Sequence, residues 1–270
     1  TAKHVELCLK AGVDMLWIGA RTTVNPFYVQ EIAEALRGNN IPVFVKNPIH
    51  PDLALWAGAL ERLYNIGVTK LAAIHRGFFT FESSAFRNDP KWEVPIELKK
   101  NFSDLPIICD PSHIAGESSL IFEISQIAMD LDMNGLMIET HQTPKQALSD
   151  ADQQITPIEL IEILNNLILR KRRFEDNHLN LELKNLRDLI DELDEQLVEI
   201  LNSRTDLVKK IADFKFQNNI TIFQLERWRE ILKLRKKQAN ILGIDNKIII
   251  DIFEVIHKYS IITQTKIMKK

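Results

Sequence analysis

The sequence predicts two units of different class: an α/β unit, a partial (β/α)8 TIM-type barrel with about five of its eight strands, then an all-α unit of three helices. Three observations carry this. The first half alternates short apolar runs with longer amphipathic stretches, the pattern of a parallel sheet covered by helices. Polar and charged residues gather just after each apolar run, as they do at the C-terminal face of a barrel. From about residue 155 no strand pattern returns, and a long stretch without Pro or Gly begins.

An opening helix is expected over 1–12. The strand runs are MLWIGA (15–20), VFVK (43–46), KLAAIH (70–75), PIICD (106–110) and GLMIE (135–139). Each has strand length and is mostly apolar, as strands buried on both faces are. NPFYVQEIAEALRG (25–38) and HPDLALWAGALERLYNIG (50–67) are the intervening helices, with Gly38 and Gly67 at their C-caps. TPIELIEILNNLILRKRR (156–173) reads as a last helix ending in a basic run, and EDNHLN (175–180) as a polar break. These signals place the barrel unit at 1–168, a linker at 169–179 and the helical unit at 180–270. In the helical unit one long helix spans 181–216, QNNIT (217–221) breaks it, and helices follow at 223–241 and 246–267 around Gly243. A closed barrel has eight strands, so three strands are expected ahead of the first run. A doubly wound sheet is the alternative, with its ligands at one switch point rather than after every strand.

Apolar residues make up 45% of the 270, enough for a sizeable core, and no run of about 18 apolar residues that would span a membrane occurs. The two cysteines, Cys8 and Cys109, have no metal-type spacing and suit a reducing cytoplasm. No nucleic-acid or membrane partner is expected. Up to residue 168 there are 13 Lys+Arg against 21 Asp+Glu, and beyond it 21 against 16. The asymmetry points to two units with different ligands, or to differently solvated surfaces.

The chemistry of the first half lies after its strands. Arg21 in GART, Lys46 in VKNP and Arg76 in IHRG put three cations on one rim. Together they read as a site for a strongly anionic small molecule, although any one alone is more often a surface ion pair. His113 of DPSH, Glu139 and Asp150 supply an imidazole and two carboxylates, a mixed N/O set suited to a divalent transition metal. A hydrogen-bonded core His, a strand-end acid and a capping Asp are the alternatives. His141 is a further ligand or a partner of one.

In the long helix Leu183, Leu186, Ile190, Leu193, Leu197 and Ile200 form a seam at spacings of three and four. Arg204 takes the next seam position, where it either snorkels to an acid or holds an anionic ligand. Arg187 and Lys215 lie beside the seam, roughly 42 Å apart along a straight helix; Arg204 and Lys215 are roughly 16 Å apart. One small ligand meets Arg187 as well only if that residue comes from a second, antiparallel copy.

IGARTTVNPF, VFVKNP, AIHRGF, DPSHIAG and GLMIETH…P…ALSDADQQ resemble the 3-deoxy-D-arabino-heptulosonate 7-phosphate (DAHP) synthases, in the short, type I-beta-like branch that includes 3-deoxy-octulosonate-phosphate synthases. The resemblance implies a metal-dependent (β/α)8 barrel that condenses phosphoenolpyruvate with erythrose 4-phosphate. It implies that Arg21, Arg76 and the catalytic Lys46 hold phosphoenolpyruvate. His113, Glu139 and Asp150 would be three of four ligands to a divalent Mn, Fe, Co or Zn. The family's fourth ligand, a Cys near the end of the first strand, and its Lys-Pro-Arg-Thr loop have no counterpart here. Both are expected in a missing N-terminal part, and without them little synthase turnover is expected.

LRDLIDELDEQLVEIL, SRTDLVKKIADFK, LERW and YSIITQ are similar to the all-helical chorismate mutases, which are intertwined three-helix dimers. The similarity implies that Arg187 of a partner chain, Arg204, Lys215 and Arg227 clamp chorismate, with Arg204 and Lys215 catalytic and Ser260 and Gln264 completing the pocket. Trp228 and Gln224 stand where the family has acids, and Glu226 or Glu230 are the stand-ins. The two resemblances together imply a bifunctional, cytoplasmic, homodimeric enzyme of aromatic amino-acid biosynthesis. Two alternatives stay open: a helical unit that only dimerises and senses prephenate, and an octulosonate-phosphate synthase barrel.

Overall fold

The computed structural model divides into two compact units, Thr1–Arg172 and Arg173–Lys270. It describes residues 1–81, 84–171 and 177–269. Residues 172–176, within the stretch read as linker, lie outside the described residues.

The first unit runs α1 (Ala2–Lys10), β1 (Leu16–Ile18), α2 (Ala20–Thr23), α3 (Pro26–Leu36), β2 (Val43–Lys46), α4 (Leu53–Asn65), β3 (Leu71–His75) and α5 (Glu93–Asn101). It continues with β4 (Ile107–Cys109), α6 (Pro111–Ala115), α7 (Ile121–Asp130), β5 (Gly135–Leu136) and α8 (Pro157–Asn166). The five strands pair in chain order, and every pairing is parallel. Sequential order is what repeated β-to-β crossovers of one hand produce. The reversal of order that defines a doubly wound sheet does not occur among them. The architecture is therefore barrel-like.

Local chemistry sets the element ends. Asn25 accepts from the amides of Phe27 and Tyr28 and Pro26 follows, so α3 starts there. Asp52 caps α4 in the same way through Leu55. The core lies between α3, α4 and the sheet: Val29, Ile32, Ala33 and Leu36 meet Trp56, Leu60 and Leu63 over Val43 and Val45, all nearly or wholly buried. Trp56 is fully buried with its indole satisfied, because Nε1 donates to the Val45 carbonyl at 3.0 Å.

Two expectations need correction. The run GLMIE makes only a two-residue strand, and the chain pairs again at Thr140 with Ile155. The helix expected over 156–173 stops at Asn166. Gln126 of α7 grips Ile168 from both sides, accepting from its amide at 2.9 Å and donating to its carbonyl at 3.0 Å, which draws the chain out of the helix.

The second unit is α9 (Asn177–Gln217), α10 (Leu225–Leu242) and α11 (Asn246–Met268). At 41 residues α9 is roughly 60 Å long. It begins at Asn177, within the predicted polar break. Gly243 ends α10 at φ 70°, and Asp245 caps α11. α11 packs along both α9 and α10. Among the described residues no helix is long and apolar enough to cross a membrane.

Candidate functional site

The predicted cations of the first unit meet in one cleft of about 650 Å³ at the C-terminal strand ends, where Arg21, Lys46, Arg76, Arg87, His113 and Asp150 contribute to the lining. Arg21 stands in α2, directly after β1. Lys46 ends β2 and is 8% exposed. Its Nζ donates to Asp110 Oδ2 at 2.8 Å, and its backbone carbonyl accepts from Thr23 Oγ1 at 2.8 Å. Asp110 follows β4 and is 1% exposed. Burial works to raise its carboxyl pKa, but the bonds and charges of His113 and Lys46 outweigh that and hold it below the usual range.

Arg76 follows β3. Burial lowers its guanidinium pKa, against the pull of Asp110. Buried Asn47 ties the adjoining strand ends together: Oδ1 accepts from the Arg76 amide at 2.7 Å and Nδ2 donates to the Gly77 carbonyl at 2.8 Å. The segment 86–89 lies across this end of the sheet. Asn88 Oδ1 accepts from Arg76 at 2.9 Å while its Nδ2 donates to the His113 carbonyl at 2.6 Å. Two glycines permit that approach. A Cβ at Gly77 would stand 2.8 Å from the Asn88 carbonyl oxygen, and one at Gly116 would stand 2.4 Å from the Arg87 Cβ. Both are also in the left-handed region. Arg87, Asn47, Asn88 and Asp110 were not among the predicted site residues. Arg87 belongs to FRNDP, far along the loop between β3 and α5, so reasoning from the residues next to a strand end passes over it.

His75, the last residue of β3 and the neighbour of Arg76, faces the core. It is fully buried, with its ring centroid 5.2–6.3 Å from those of Trp56, Phe78 and Trp92. Burial pushes its pKa down to about 3, so it is neutral.

The predicted metal ligands are brought near one another but not closed into a site. His113 Nδ1 lies 3.8 Å from Glu139 Oε1, yet the same nitrogen is 2.9 Å from Asp110. Asp150 is bound by Arg87 at 2.7 Å, and that bond lowers its pKa. Arg87 also donates to Gln153 Oε1 at 2.6 Å, and Gln153 donates to Glu139 at 2.8 Å. His141 accepts from the Thr143 amide, which turns its Nδ1 into its own loop. Among the described residues no group of three or more His, Cys, Asp or Glu stands close enough to hold a metal ion. The carboxylates and imidazole are spent on protein partners, so the set does not fit a metal as it stands. Neither thiol adds to it: Cys8 lies in α1, and Cys109 is buried in β4, where burial raises its pKa well above the usual thiol value.

The second unit holds its own cations. Arg204 of α9 donates to Ser260 Oγ of α11 at 2.7 Å, and Ser260 donates onward to the Ile256 carbonyl. Lys215 Nζ donates to the Ile222 carbonyl at 2.6 Å. Burial lowers both pKa values. Among the described residues buried Gln264 leaves its Oε1 without a partner, and its Nε2 reaches only the Ser260 carbonyl at 3.4 Å. A cavity of about 260 Å³ is lined by Arg204, Val208 and Ser260, and another of about 490 Å³ by Ile211, Lys215 and Gln224. Arg227 is exposed and paired with Glu230, while Glu226 pairs with Arg229. Arg187 is exposed, far up α9 from Lys215. The seam itself is open: Leu186, Ile190, Leu193, Leu197 and Ile200 are each more than half exposed.

A parallel-sheet unit with a cleft lined by cations and an all-helical unit with cations beside two cavities make up a two-part protein. The chain belongs to the DAHP synthetase I family, whose family model matches residues 4–173. The model for chorismate mutase type II matches residues 186–265. A phospho-2-dehydro-3-deoxyheptonate aldolase of Thermotoga maritima is 29% identical over 163 residues, 60% of this chain and 45% of that protein. A bifunctional chorismate mutase/prephenate dehydratase of Buchnera aphidicola is 33% identical over 84 residues, 31% of this chain and 22% of that protein. The solved truncated form of the Thermotoga maritima DAHP synthase superposes with a TM-score of 0.54 at 26% identity, over 70% of this chain and 64% of that one. The chain thus spans less than half the length of these curated relatives.

Proposed function

We propose that the first unit serves the condensation of phosphoenolpyruvate with erythrose 4-phosphate, and that the second rearranges chorismate to prephenate. The observation that carries this is the convergence of Arg21, Lys46, Arg76 and Arg87 on one cleft. A phosphate and a carboxylate on one small molecule need several fixed cations, and guanidinium groups supply planar forks for both. Lys46 is held rigid by Asp110, so its charge is in place before charge shifts on the substrate. His113, Glu139 and Asp150 remain the proposed ligands of a divalent metal, which requires Asp150 to leave Arg87.

In the helical unit the reaction needs no nucleophile. Arg204 and Lys215 hold the two carboxylates and stabilise negative charge growing on the ether oxygen, with Ser260 and Gln264 completing the pocket. Arg187 joins only from a second copy, so the proposal includes a homodimer through α9, whose open apolar seam supplies the surface. Sedimentation of the full chain at micromolar concentration should report a dimer; a monomer removes Arg187 from the site.

The direct test incubates the full chain with chorismate and follows its ultraviolet absorbance. Parallel calorimetry measures phosphoenolpyruvate binding. Chorismate loss above background and saturable phosphoenolpyruvate binding are expected. No chorismate loss, with the dimer intact, would turn the reading toward a dimerisation and sensing module.

A further inference from the structure

His257, Ser260 and Gln264 follow one another on α11 at spacings of three and four, hence on one helix face. The last two belong to the mutase pocket proposed above, while His257 has no assigned role. Its imidazole stacks on the Trp228 indole, with centroids 4.1 Å apart and planes at 13°. Phe223 flanks it at 6.0 Å, tilted by 58°. These rings fix the plane of the imidazole. Its Nε2 is shielded from solvent and has no hydrogen-bond partner among the described residues, and the same holds for Gln264 Oε1 two turns further on. Shielded polar atoms are normally paired, and two orphans on one face beside two cations are what a polar ligand would satisfy.

We propose that His257 is a further substrate contact of the helical pocket, its Nε2 hydrogen-bonding an oxygen of the dicarboxylate held by Arg204 and Lys215. The proposal rests on the mutase reading. Burial, then repulsion from Arg204 and Lys215, lowers the His257 pKa, so it brings a hydrogen bond and not a third charge. The charges that bear on it, Arg204 and Lys215, both come from α9. α10 and its approach face it with Trp228 and Phe223. Trp228 becomes a positioning residue, its indole face orienting the imidazole.

The test compares the full chain with its His257→Phe and His257→Gln variants in chorismate turnover. Phe keeps a ring for the stack and removes the nitrogen; Gln restores a polar atom. His257→Phe should raise KM about tenfold, the worth of one hydrogen bond to a charged group, with kcat changed much less. His257→Gln should recover part of the loss. In the parent, the His257 ring nitrogen resonances should shift on saturation with chorismate. An unchanged KM in His257→Phe, or unmoved resonances while chorismate is consumed, overturns the proposal and leaves the mutase reading standing. A parent that neither binds nor consumes chorismate removes both.

Discussion

Lys46→Met is expected to abolish phosphoenolpyruvate binding and to destabilise the first unit by on the order of 3 kcal/mol, the usual consequence of leaving a buried charge without its partner. Asp110 is 1% exposed and faces Lys46 at 2.8 Å, so water cannot replace the ammonium. His113 alone would then hold that carboxylate. The pH dependence follows from the depressed Asp110 pKa. A lowered folded pKa contributes stability above the unfolded value, about 3.9, and that contribution is lost as pH falls through the folded value. Removing Lys46 shrinks it, so acid unfolding should begin at higher pH. Urea denaturation and calorimetry separate the two effects. Adding Asp110→Asn to Lys46→Met should recover much of the stability and none of the binding. A Lys46→Met chain that binds phosphoenolpyruvate like the parent takes Lys46 out of the site.

Arg204→Ala is expected to lower kcat/KM for chorismate by about a hundredfold or more, the scale of removing one fixed donor at a developing negative charge. Stability should change little. Arg204 is half-buried, and Ser260 still donates to the Ile256 carbonyl when the guanidinium is gone. Arg204→Lys should recover only a small part, because an ammonium cannot reproduce the planar fork. Rates within threefold of the parent in Arg204→Ala would sink the assignment.

The strand-end cations were legible because an apolar run followed by a charge has one economical reading in a parallel sheet. Arg21, Lys46 and Arg76 needed nothing beyond that pattern. Arg204 was legible for the complementary reason, a permanent charge on an apolar helix stripe. What escaped depends on contacts between distant residues. Asp110 lies at the end of a strand run and caps α6, but its pairing is visible only when β2 and β4 bring Lys46 to it from 64 positions away. Asp150 reads as a metal ligand or a capping acid until Arg87 arrives over Gly116. Similarly, nothing near Trp228 in sequence shows that a histidine on another helix lies flat against it. The end of α8 was missed because Gln126, a side chain from 42 residues earlier, decides it.

The sequential strand order bears on how the chain acquires its structure. Each strand pairs with the one just before it in the chain, so each pairing closes a loop of only a few tens of residues. Loop-closure entropy rises slowly with length, and rates fall as contacts become less local. Each new βα segment can therefore dock on a sheet already begun, in the direction of synthesis. No pairing among these five strands has to wait for a distant part of the polypeptide to leave the ribosome.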